Sequence, residues 1–426
     1  MRVLFIGFVW PEPKSSAAGQ NILSYMYALR DDGNEVFFCS AAEKTEQSQN
    51  LENDAIPSFP IVLNCSSFDS QVTELAPDIV IFDRFLCYEQ FAWRVKKSCP
   101  EALLVLDAED LHFLRKARQQ AAKVLSHRFV SSASILANEQ RSLLLNELTK
   151  RELACIYQAD LTVVLSDFEQ ELLTDIMHVP KNQIAHCPFI INSKNASLTN
   201  LPTFQEREDF VFIGNFRHAP NYHSAKILRE NIWPFIVKHF KKLGITVKCH
   251  VYGAYLSPKA KQLENAAIGF HVHGFAENQF DVIKNARVML APIQFGAGVK
   301  GKFLDAMLCG TPSITSPIGA EGISKQAWGG FIVDDFEAFI SSAIELYSNE
   351  KAWTKAVKNG EKIIQMDYAP ALISRKFIDI IQSGYTNRMQ NRSLNILQQV
   401  MSHHQFQTSQ YMSQWIEAKT QLSKLL

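Results

Sequence analysis

The sequence predicts an α/β protein built from two Rossmann-like domains, and three observations lead to this fold class. At 426 residues the chain is longer than a single core usually allows, so it should divide into domains. Short apolar runs alternate with amphipathic segments in both halves, a pattern typical of parallel sheets flanked by helices. A polar stretch without periodicity, residues 191–209, separates the two halves.

The first domain is predicted to cover residues 1–195. It opens with a βαβ pattern: a strand from Arg2 to Phe8, a helix from about Gln20 to Arg30, and a strand from Glu35 to Cys39. Further apolar runs continue the sheet at Ile61 to Leu63, Ile79 to Phe82, Leu103 to Leu106, Leu161 to Leu165 and Ile184 to Phe189. Ser166 and Glu169 then form the pattern of a helix capping box, so we assign them a structural role.

Two segments of this domain are candidates for the acceptor side of a site. The loop that ends at Gly19 follows the first strand and leads into a helix. It either approaches a sugar or phosphate acceptor or only connects two elements. The sequence turns helical after Asp107, with Asp107 or Asp110 able to cap the start. His112, Arg115 and Lys116 then share one helix face, which is either solvated or turned toward a site.

The second domain is predicted to cover residues 205–384. It begins with the strand Asp209 to Gly214, where Gly214 permits close backbone approach and Arg217 is the nearest fixed cation. The remaining strands are expected at Thr246 to Tyr252, Phe270 to Gly274, Val288 to Ala291, Ser313 to Thr315 and Gly330 to Val333. Gly253 and Gly274, the latter followed by Phe275, are either a resting place for a nucleoside base or ordinary turn residues.

A glycine-punctuated turn between a strand and a short helix is the most informative stretch. Gly296, Ala297, Gly298 and Val299 form the turn, and apolar residues then recur at helical spacing. A helix start leaves backbone N–H groups without internal partners, and its dipole attracts anions. Lys300 and Lys302 add charge at the end of a helix where lysine is unfavourable, so the sequence predicts a phosphate ligand there. Asp305 lies on the face of Lys302, either as a partner for sugar hydroxyls or as half of an exposed ion pair.

Composition excludes several classes of function. The 43 basic and 43 acidic residues balance, so no general attraction to nucleic acid is expected. The start of the chain does not have the pattern of a signal peptide and no run is long enough to span a membrane, which predicts a cytoplasmic protein. The eight cysteines are scattered without zinc-ligand spacing, so they are expected to be reduced, mostly structural thiols.

The stretch GAGVKGKFLDAMLCGTPSITSPIGAEGI resembles the donor-site signature of the group 1 (family 4) glycosyltransferases. The resemblance implies a retaining enzyme of GT-B fold, whose two domains face a central cleft. It implies that residues 385–426 pack back on the first domain. DLHFLR is similar to the family segment that lines the cleft near the transferred sugar. Two residues depart from the family pattern: Ala297 stands where a glutamate is usual, and Asp305 is one methylene shorter than the usual glutamate.

The resemblance assigns roles to individual residues. The expected catalytic residues are His112, Arg217 and Lys302, and the expected acceptor-side residues are Gly19 and Arg115. The expected donor-binding residues are Gly214, Arg217, Gly296, Ala297, Gly298, Val299, Lys300, Lys302 and Asp305. The cationic groups among them would neutralise a leaving diphosphate in place of a metal, so neither a cofactor nor a metal is expected.

We therefore predict transfer of a sugar from a nucleotide-diphosphate sugar to a glycan, lipid-linked or protein acceptor, in the synthesis of surface polysaccharide or glycoconjugates. Peripheral contact with the inner face of the membrane is left open. Two alternatives remain: an epimerase or phosphorylase that uses the same cleft, and a sugar-nucleotide-binding protein without catalysis.

Overall fold

The computed structural model describes residues 1–124, 128–137, 141–191 and 200–425, and it contains two parallel sheets. The first has the strand order β3-β2-β1-β4-β5-β6-β7 and the second β10-β9-β8-β11-β12-β13. The first-sheet strands are β1 Arg2–Gly7, β2 Glu35–Ser40, β3 Ser58–Pro60, β4 Ile79–Asp83, β5 Leu103–Asp107, β6 Leu161–Val164 and β7 Ile184–His186. The second-sheet strands are β8 Glu208–Ile213, β9 Cys249–Tyr252, β10 Phe270–Gly274, β11 Ala286–Ala291, β12 Ser313–Thr315 and β13 Gly330–Ile332.

Helices cover the faces of both sheets. Those of the first domain are α1 Ala17–Asp31, α2 Ser67–Leu75, α3 Arg84–Ser98, α4 His112–Ala122, α5 Ser132–Leu136, α6 Glu147–Gln158 and α7 Asp167–Glu171. Those of the second are α8 Ala219–Ile227, α9 Trp233–Lys242, α10 Pro258–Lys261, α11 Gln279–Asn285, α12 Gly301–Leu308, α13 Pro317–Ala320, α14 Phe336–Ser348 and α15 Glu350–Asp367. Two long helices follow, α16 Pro370–Leu394 and α17 Ile396–Leu425.

Both sheets have the doubly wound Rossmann order, in which strand order reverses beside the first strand of each sheet. The central strands are apolar on both faces because helices cover both: Val3, Leu4, Phe5 and Ile6 of β1 are fully buried. The reversal points lie between β1 and β4 and between β8 and β11, so clefts open there at the carboxyl ends of the strands. The predicted fold class of two Rossmann-like domains is confirmed.

The last two helices return to the first domain. Helix α16 packs on α1 and β5, and Phe377 stacks on Tyr25 with ring centroids 3.9 Å apart. Helix α17 packs on α3 and α6. At the junction of the two helices, Arg392 donates to both carboxylate oxygens of Asp160, at 2.7 and 2.6 Å. The chain therefore passes from the first domain to the second and back again.

Several predicted boundaries are wrong. The third strand is Ser58–Pro60, and Val62 and Leu63 of the predicted run are exposed beyond it. The seventh strand ends at His186, well before Phe189. Of the predicted linker, residues 192–199 lie outside the described residues. No helix among the described residues is long and apolar enough to cross a membrane.

Candidate active site

A cleft of about 420 Å³ lies between the carboxyl ends of the two sheets. The first domain contributes residues 14–18, which open α1, together with Arg84, Glu109, Asp110, His112 and Arg115. The second domain contributes Gly214, Asn215, His218, Asn221, Gly253, Phe275 and the turn into α12, including Lys300, Lys302 and Asp305. The sequence thus brings strand-end residues of both domains to one cavity, as open α/β sheets do.

Helix α12 directs the lysine and the aspartate of the predicted donor site into this cleft. Its other face is apolar and buried, with Phe303, Leu304 and Met307 in the core, so Lys302 and Asp305 remain on the cleft side. The helix ends before Gly310, whose φ of +60° suits a residue without a side chain. The packing of one face therefore fixes the direction of the other.

Lys302 and Asp305 are partly buried, and burial shifts the pKa of each toward neutrality. Burial lowers the pKa of Lys302 to about 7, although the nearby Asp305 carboxyl opposes this shift. Burial raises the pKa of Asp305 to about 7, with Lys302 again opposing. The Lys302 Nζ donates to Asn221 Oδ1 at 2.7 Å, and Asp305 Oδ2 accepts from Gln279 Nε2 at 3.2 Å. Both groups are held in place before a ligand arrives.

Lys300 precedes the helix and is turned onto the glycine turn. Its Nζ donates to the Gly298 carbonyl at 2.8 Å. Burial lowers its pKa to about 8, while the Glu321 carboxylate raises it and the Arg118 guanidinium lowers it further. Lys300 therefore supports the turn as well as lining the cleft.

The glycine turn differs in two ways from its prediction. Helix α12 begins at Gly301, with Lys300 as the N-cap, so the N–H groups of Ala297 to Val299 are not the unpaired amides of the helix start that were expected there. The Gly298 N–H was expected to point outward without a partner, but it donates to Glu169 Oε1 at 2.8 Å. Ala297 and Val299 line the cleft, whereas Gly298 does not, because its amide faces the first domain. The expectation of a free Gly298 amide is therefore wrong.

Glu169 and Ser166 do not form the predicted capping box. The Ser166 side chain makes no cap bond to helix α7, and its Oγ has no hydrogen-bond partner among the described residues. The Glu169 carboxylate instead reaches across to Gly298 and to the Leu111 N–H. A local pattern is overridden here by contacts between distant parts of the chain.

His112 lies at the start of α4 and lines the cleft with Arg115, whereas Lys116, predicted on the same face, is exposed and does not line it. Its Nε2 is 3.5 Å from Asp110 Oδ1, and Asp110 forms an ion pair with Arg115. Burial lowers the pKa of His112 to about 4, although Asp110 opposes this shift. The imidazole is therefore neutral at physiological pH, and it can hydrogen-bond a sugar hydroxyl without carrying charge.

The start of α4 is not capped by Asp107 or Asp110. Leu111 is the N-cap residue, and the two oxygens of Glu152 from α6 accept from the His112 and Phe113 N–H groups at 3.0 and 2.8 Å. Glu152 is 2% exposed, and burial raises its pKa to about 8 against the lowering effect of those two amides. A distant carboxyl thus orients the helix that presents His112.

Arg217, Gly19 and Gly214 differ in their relation to the cleft. Gly214 lines it, and a Cβ there would lie 2.6 Å from the Asn221 side chain. Gly19 is buried beside the Glu12 backbone and does not line the cleft. Arg217 is exposed and stacks on the Tyr255 ring, 3.4 Å from its centroid, outside the lining residues. Its predicted contact with a diphosphate stays a prediction.

Two cleft residues that the sequence prediction missed have left-handed backbone conformations. Arg84 (φ +67°) follows β4 and Glu109 (φ +55°) follows β5, positions at which strain often accompanies function. Glu109 is 6% exposed and accepts from Asn21 Nδ2 at 3.1 Å. Burial raises its pKa well above the usual range, and the nearby Asp107 and Asp83 carboxyls raise it further. The only signal in the sequence was their place at strand carboxyl ends.

The comparisons with known proteins concern the second domain and the fold. Residues 207–349, about a third of the chain, match the family model described as glycosyl transferases group 1. Curated protein sequences give no significant match. All the similar solved structures named below are under 25% identical, so their likeness shows the fold alone.

Three solved structures resemble the chain over most of its length. HepE of Anabaena, in complex with UDP and glucose, has a TM-score of 0.64 at 12% identity, covering 90% of this chain and 100% of its own. Sucrose-phosphate synthase of Thermosynechococcus elongatus has a TM-score of 0.61 at 15% identity, covering 91% of this chain and 100% of its own. WaaG, a glycosyltransferase involved in lipopolysaccharide biosynthesis, has a TM-score of 0.60 at 11% identity, covering 89% of this chain and 99% of its own.

Proposed function

We propose that this chain, a glycosyltransferase with a group 1 domain and the GT-B fold, moves a sugar from a nucleotide-diphosphate sugar to an acceptor hydroxyl in the cleft between its domains. The enzyme class predicted from the sequence is confirmed by the family match over residues 207–349. The GT-B architecture is the fold that this class requires. The donor, the acceptor and the stereochemistry are the parts that we propose. The similar structure of HepE holds UDP and glucose, which supports a nucleotide-sugar donor.

The observation that carries the proposal is the charge arrangement around helix α12. Lys300 and Lys302 line the cleft at the start of this helix, where the helix dipole also favours an anion. Asp305 lines the same cleft one turn further along. A donor fits this order of groups, with its diphosphate at the helix start and its ribose hydroxyls at the carboxylate.

The chemistry follows from the charge that develops on the leaving group. As the bond between the sugar and the diphosphate breaks, negative charge accumulates on the diphosphate oxygens. Fixed cations and amides aimed at that position stabilise the transition state without reorganising. Lys302 would supply this charge, since a bound diphosphate raises the pKa of a buried lysine and restores its proton.

The first domain would supply the acceptor side. The neutral His112 imidazole, with Arg115 beside it, faces the cleft opposite the donor helix. Arg84 and Glu109 line the same side and offer a hydrogen-bond donor and a carboxyl group to an acceptor hydroxyl. We expect the reaction to proceed with retention, as the resemblance of the 296–323 stretch implies.

We also propose that the transfer needs no metal ion. The lysines at the start of α12 offer the charge that a metal would otherwise provide. Activity in the presence of excess EDTA tests this part of the proposal.

A two-step experiment tests the function. Thermal stabilisation by UDP-, GDP-, ADP- and CMP-sugars identifies the donor, because a ligand at 100 times its Kd adds about 2.7 kcal/mol to the free energy of unfolding. Proton NMR then follows the donor in the presence of EDTA and candidate acceptors. Transfer to a product with the anomeric configuration of the donor, or slow release of the sugar as the α-anomer from an α-linked donor, supports a retaining transferase.

Other outcomes point to the alternatives. A new sugar nucleotide indicates an epimerase, and phosphate-dependent formation of a sugar phosphate indicates a phosphorylase. Donor binding with no turnover under any of these conditions indicates a binding protein. Loss of activity in EDTA with recovery in Mn²⁺ contradicts metal independence alone.

A further inference from the structure

We propose that two buried charged residues of the first domain, Arg118 and Glu169, act as positioning residues that hold the donor-binding turn of the second domain. The glycine turn is defined as residues 296–299. This inference rests on the proposed function, since it concerns donor binding at the same site. It predicts that donor affinity depends on residues that do not touch the donor.

Each of the two residues holds one backbone group of the glycine turn. Arg118 Nη1 donates to the Gly296 carbonyl at 2.9 Å. Glu169 Oε1 accepts from the Gly298 N–H at 2.8 Å. Neither side chain lines the cleft, whereas Gly296, Ala297 and Val299 do. Arg118 and Glu169 therefore hold the backbone of a turn that lines the cleft, without lining the cleft themselves.

Arg118 is itself held rigidly. It is fully buried, and its guanidinium forms a two-pronged contact with Glu321, at 2.8 Å to Oε1 and 2.6 Å to Oε2. The Phe168 ring lies 5.1 Å from the guanidinium carbon. Glu321 follows helix α13 of the second domain, so Arg118 joins α4 of the first domain to two segments of the second. A planar guanidinium suits this geometry better than a lysine ammonium would.

Glu169 is held equally well. It is 1% exposed, and the same oxygen that binds Gly298 also accepts from the Leu111 N–H at 3.2 Å. Leu111 directly precedes α4, the helix that carries His112 at its start. Glu169 therefore joins the start of α4 and the glycine turn that precedes α12. One carboxyl group thus couples the acceptor-side helix and the donor-side turn.

At two glycines, the turn and the start of α12 lie so close to the first domain that a side chain would not fit. Gly298 has φ +62°, and a Cβ built on it would lie 2.6 Å from the Glu109 carbonyl. Gly301 behaves similarly, because its Cβ would lie 2.8 Å from Ala17 Cβ of the first domain. The backbone at Gly298 and the start of α12 at Gly301 therefore pack directly against the first domain.

A mutational test compares Arg118→Lys and Glu169→Met with a matched control, Arg392→Lys. Arg392 is also a buried arginine that contacts both oxygens of one carboxylate, Asp160, but it lies at the α16–α17 junction and not at the cleft. The probe is UDP, GDP or ADP, whichever binds the wild type most tightly in calorimetry. Thermal unfolding of each variant reports the purely structural effect.

We expect Arg118→Lys and Glu169→Met to raise the Kd of the nucleotide about tenfold or more, and Arg392→Lys to leave it within twofold of the wild type at a similar loss of Tm. Glu169→Gln, which keeps an oxygen acceptor, should recover most of the affinity. Hydrogen exchange of the peptide that contains Gly298 should be faster in Glu169→Met and unchanged in Arg392→Lys. This readout holds even if one variant is too unstable for calorimetry.

Two outcomes would overturn the inference, and they differ. Wild-type affinity in both Arg118→Lys and Glu169→Met, with unchanged exchange at Gly298, contradicts the positioning role while the proposed function stands. A wild-type protein that binds no nucleotide diphosphate or sugar nucleotide contradicts the proposed function and the inference together.

Discussion

At the scale of single residues, the cleft is notable for ionisable groups that burial holds near neutrality. The pKa of Lys302 is lowered to about 7 and that of Asp305 is raised to about 7, both mainly by burial. The pKa of His112 is lowered to about 4 by the same cause. An empty cleft therefore carries less charge than its sequence suggests, and a charged ligand should change its protonation.

Binding of UDP, GDP or ADP, whichever binds the wild type most tightly, should take up protons at pH 8. Lys302 is largely neutral there without a ligand, and a diphosphate beside it raises its pKa and restores the ammonium. Calorimetric titration in buffers of different ionisation enthalpy measures this uptake. Lys302→Met should remove most of it and weaken binding. An enthalpy that is independent of the buffer in the wild type contradicts the lysine–diphosphate contact.

His112→Ala should lower kcat more than it weakens donor binding, because a group near the reacting centre acts mainly in the transition state. Since the pKa of His112 is lowered to about 4, the wild-type kcat should show no ionisation of this residue between pH 5 and 8. Steady-state kinetics with the identified acceptor measure both quantities. Unchanged kcat in the variant returns His112 to a packing role against Phe85, whose ring it meets edge-on.

At the scale of elements, much of the sheet follows from the sequence because buried strands are local apolar runs. Strands Phe270–Gly274 and Ser313–Thr315 have the predicted bounds. The prediction failed at Ile61 to Leu63, where apolar residues lie exposed beyond an edge strand, and at Glu169. Glu169 meets Gly298, 129 positions away, and no local pattern carries such a contact. The place of Lys300 and Lys302 in the cleft was predictable because both lie at the start of α12, which the local sequence specifies.

Helix α4 provides an element-scale prediction, because Glu152 caps its start. The raised pKa of Glu152, about 8 against an ordinary 4.5, means that the folded state holds an extra proton between these values. The contribution of Glu152 to the free energy of unfolding is therefore fully present below about pH 4.5, and it is lost as the pH rises toward 8. Glu152→Gln cannot ionise, so its stability relative to the wild type should increase from pH 5 to pH 8, by up to about 1.4 kcal/mol per pH unit.

Denaturant unfolding at several pH values measures this difference. Glu147→Gln is the matched control, since Glu147 lies in the same helix with an exposed carboxylate. Its side chain is 86% exposed, so the variant makes the same Glu→Gln change in this helix without burial. A constant difference between Glu152→Gln and the wild type across this range contradicts the buried, proton-holding cap.

At the scale of the whole molecule, several contacts hold the two domains together around the cleft. Tyr255 of the second domain donates to the Glu12 carboxylate, at 2.8 Å to Oε1 and 2.7 Å to Oε2. Burial raises the pKa of Glu12, but hydrogen bonds from Ser15, Thr45 and Tyr255 outweigh this effect and leave it lowered. Asn215 Nδ2 also donates to the Ser15 carbonyl at 3.2 Å. These bonds fix the loop that opens helix α1.

Tyr255→Phe should loosen the contact between the domains. It removes the hydrogen bond to a charged group, which is worth about 1.5 to 3 kcal/mol, while the ring can still stack on Arg217. Small-angle X-ray scattering should show a larger radius of gyration for the variant without a ligand. Tyr385→Phe, whose hydroxyl contacts Asp78 away from the cleft, is the control. Equal radii for both variants and the wild type contradict this role of Tyr255.

The central claim is that the start of helix α12 holds and stabilises the departing diphosphate, and the turnover of Lys302→Met in EDTA tests it most directly. With the donor identified by thermal stabilisation, the rate of sugar release or transfer is measured for the wild type and the variant. We expect the wild type to remain active in EDTA and the variant to be about a hundred- to a thousandfold slower, as removal of one oxyanion-stabilising group produces elsewhere. A variant as fast as the wild type, or a wild type that is active only with Mn²⁺, would contradict the account.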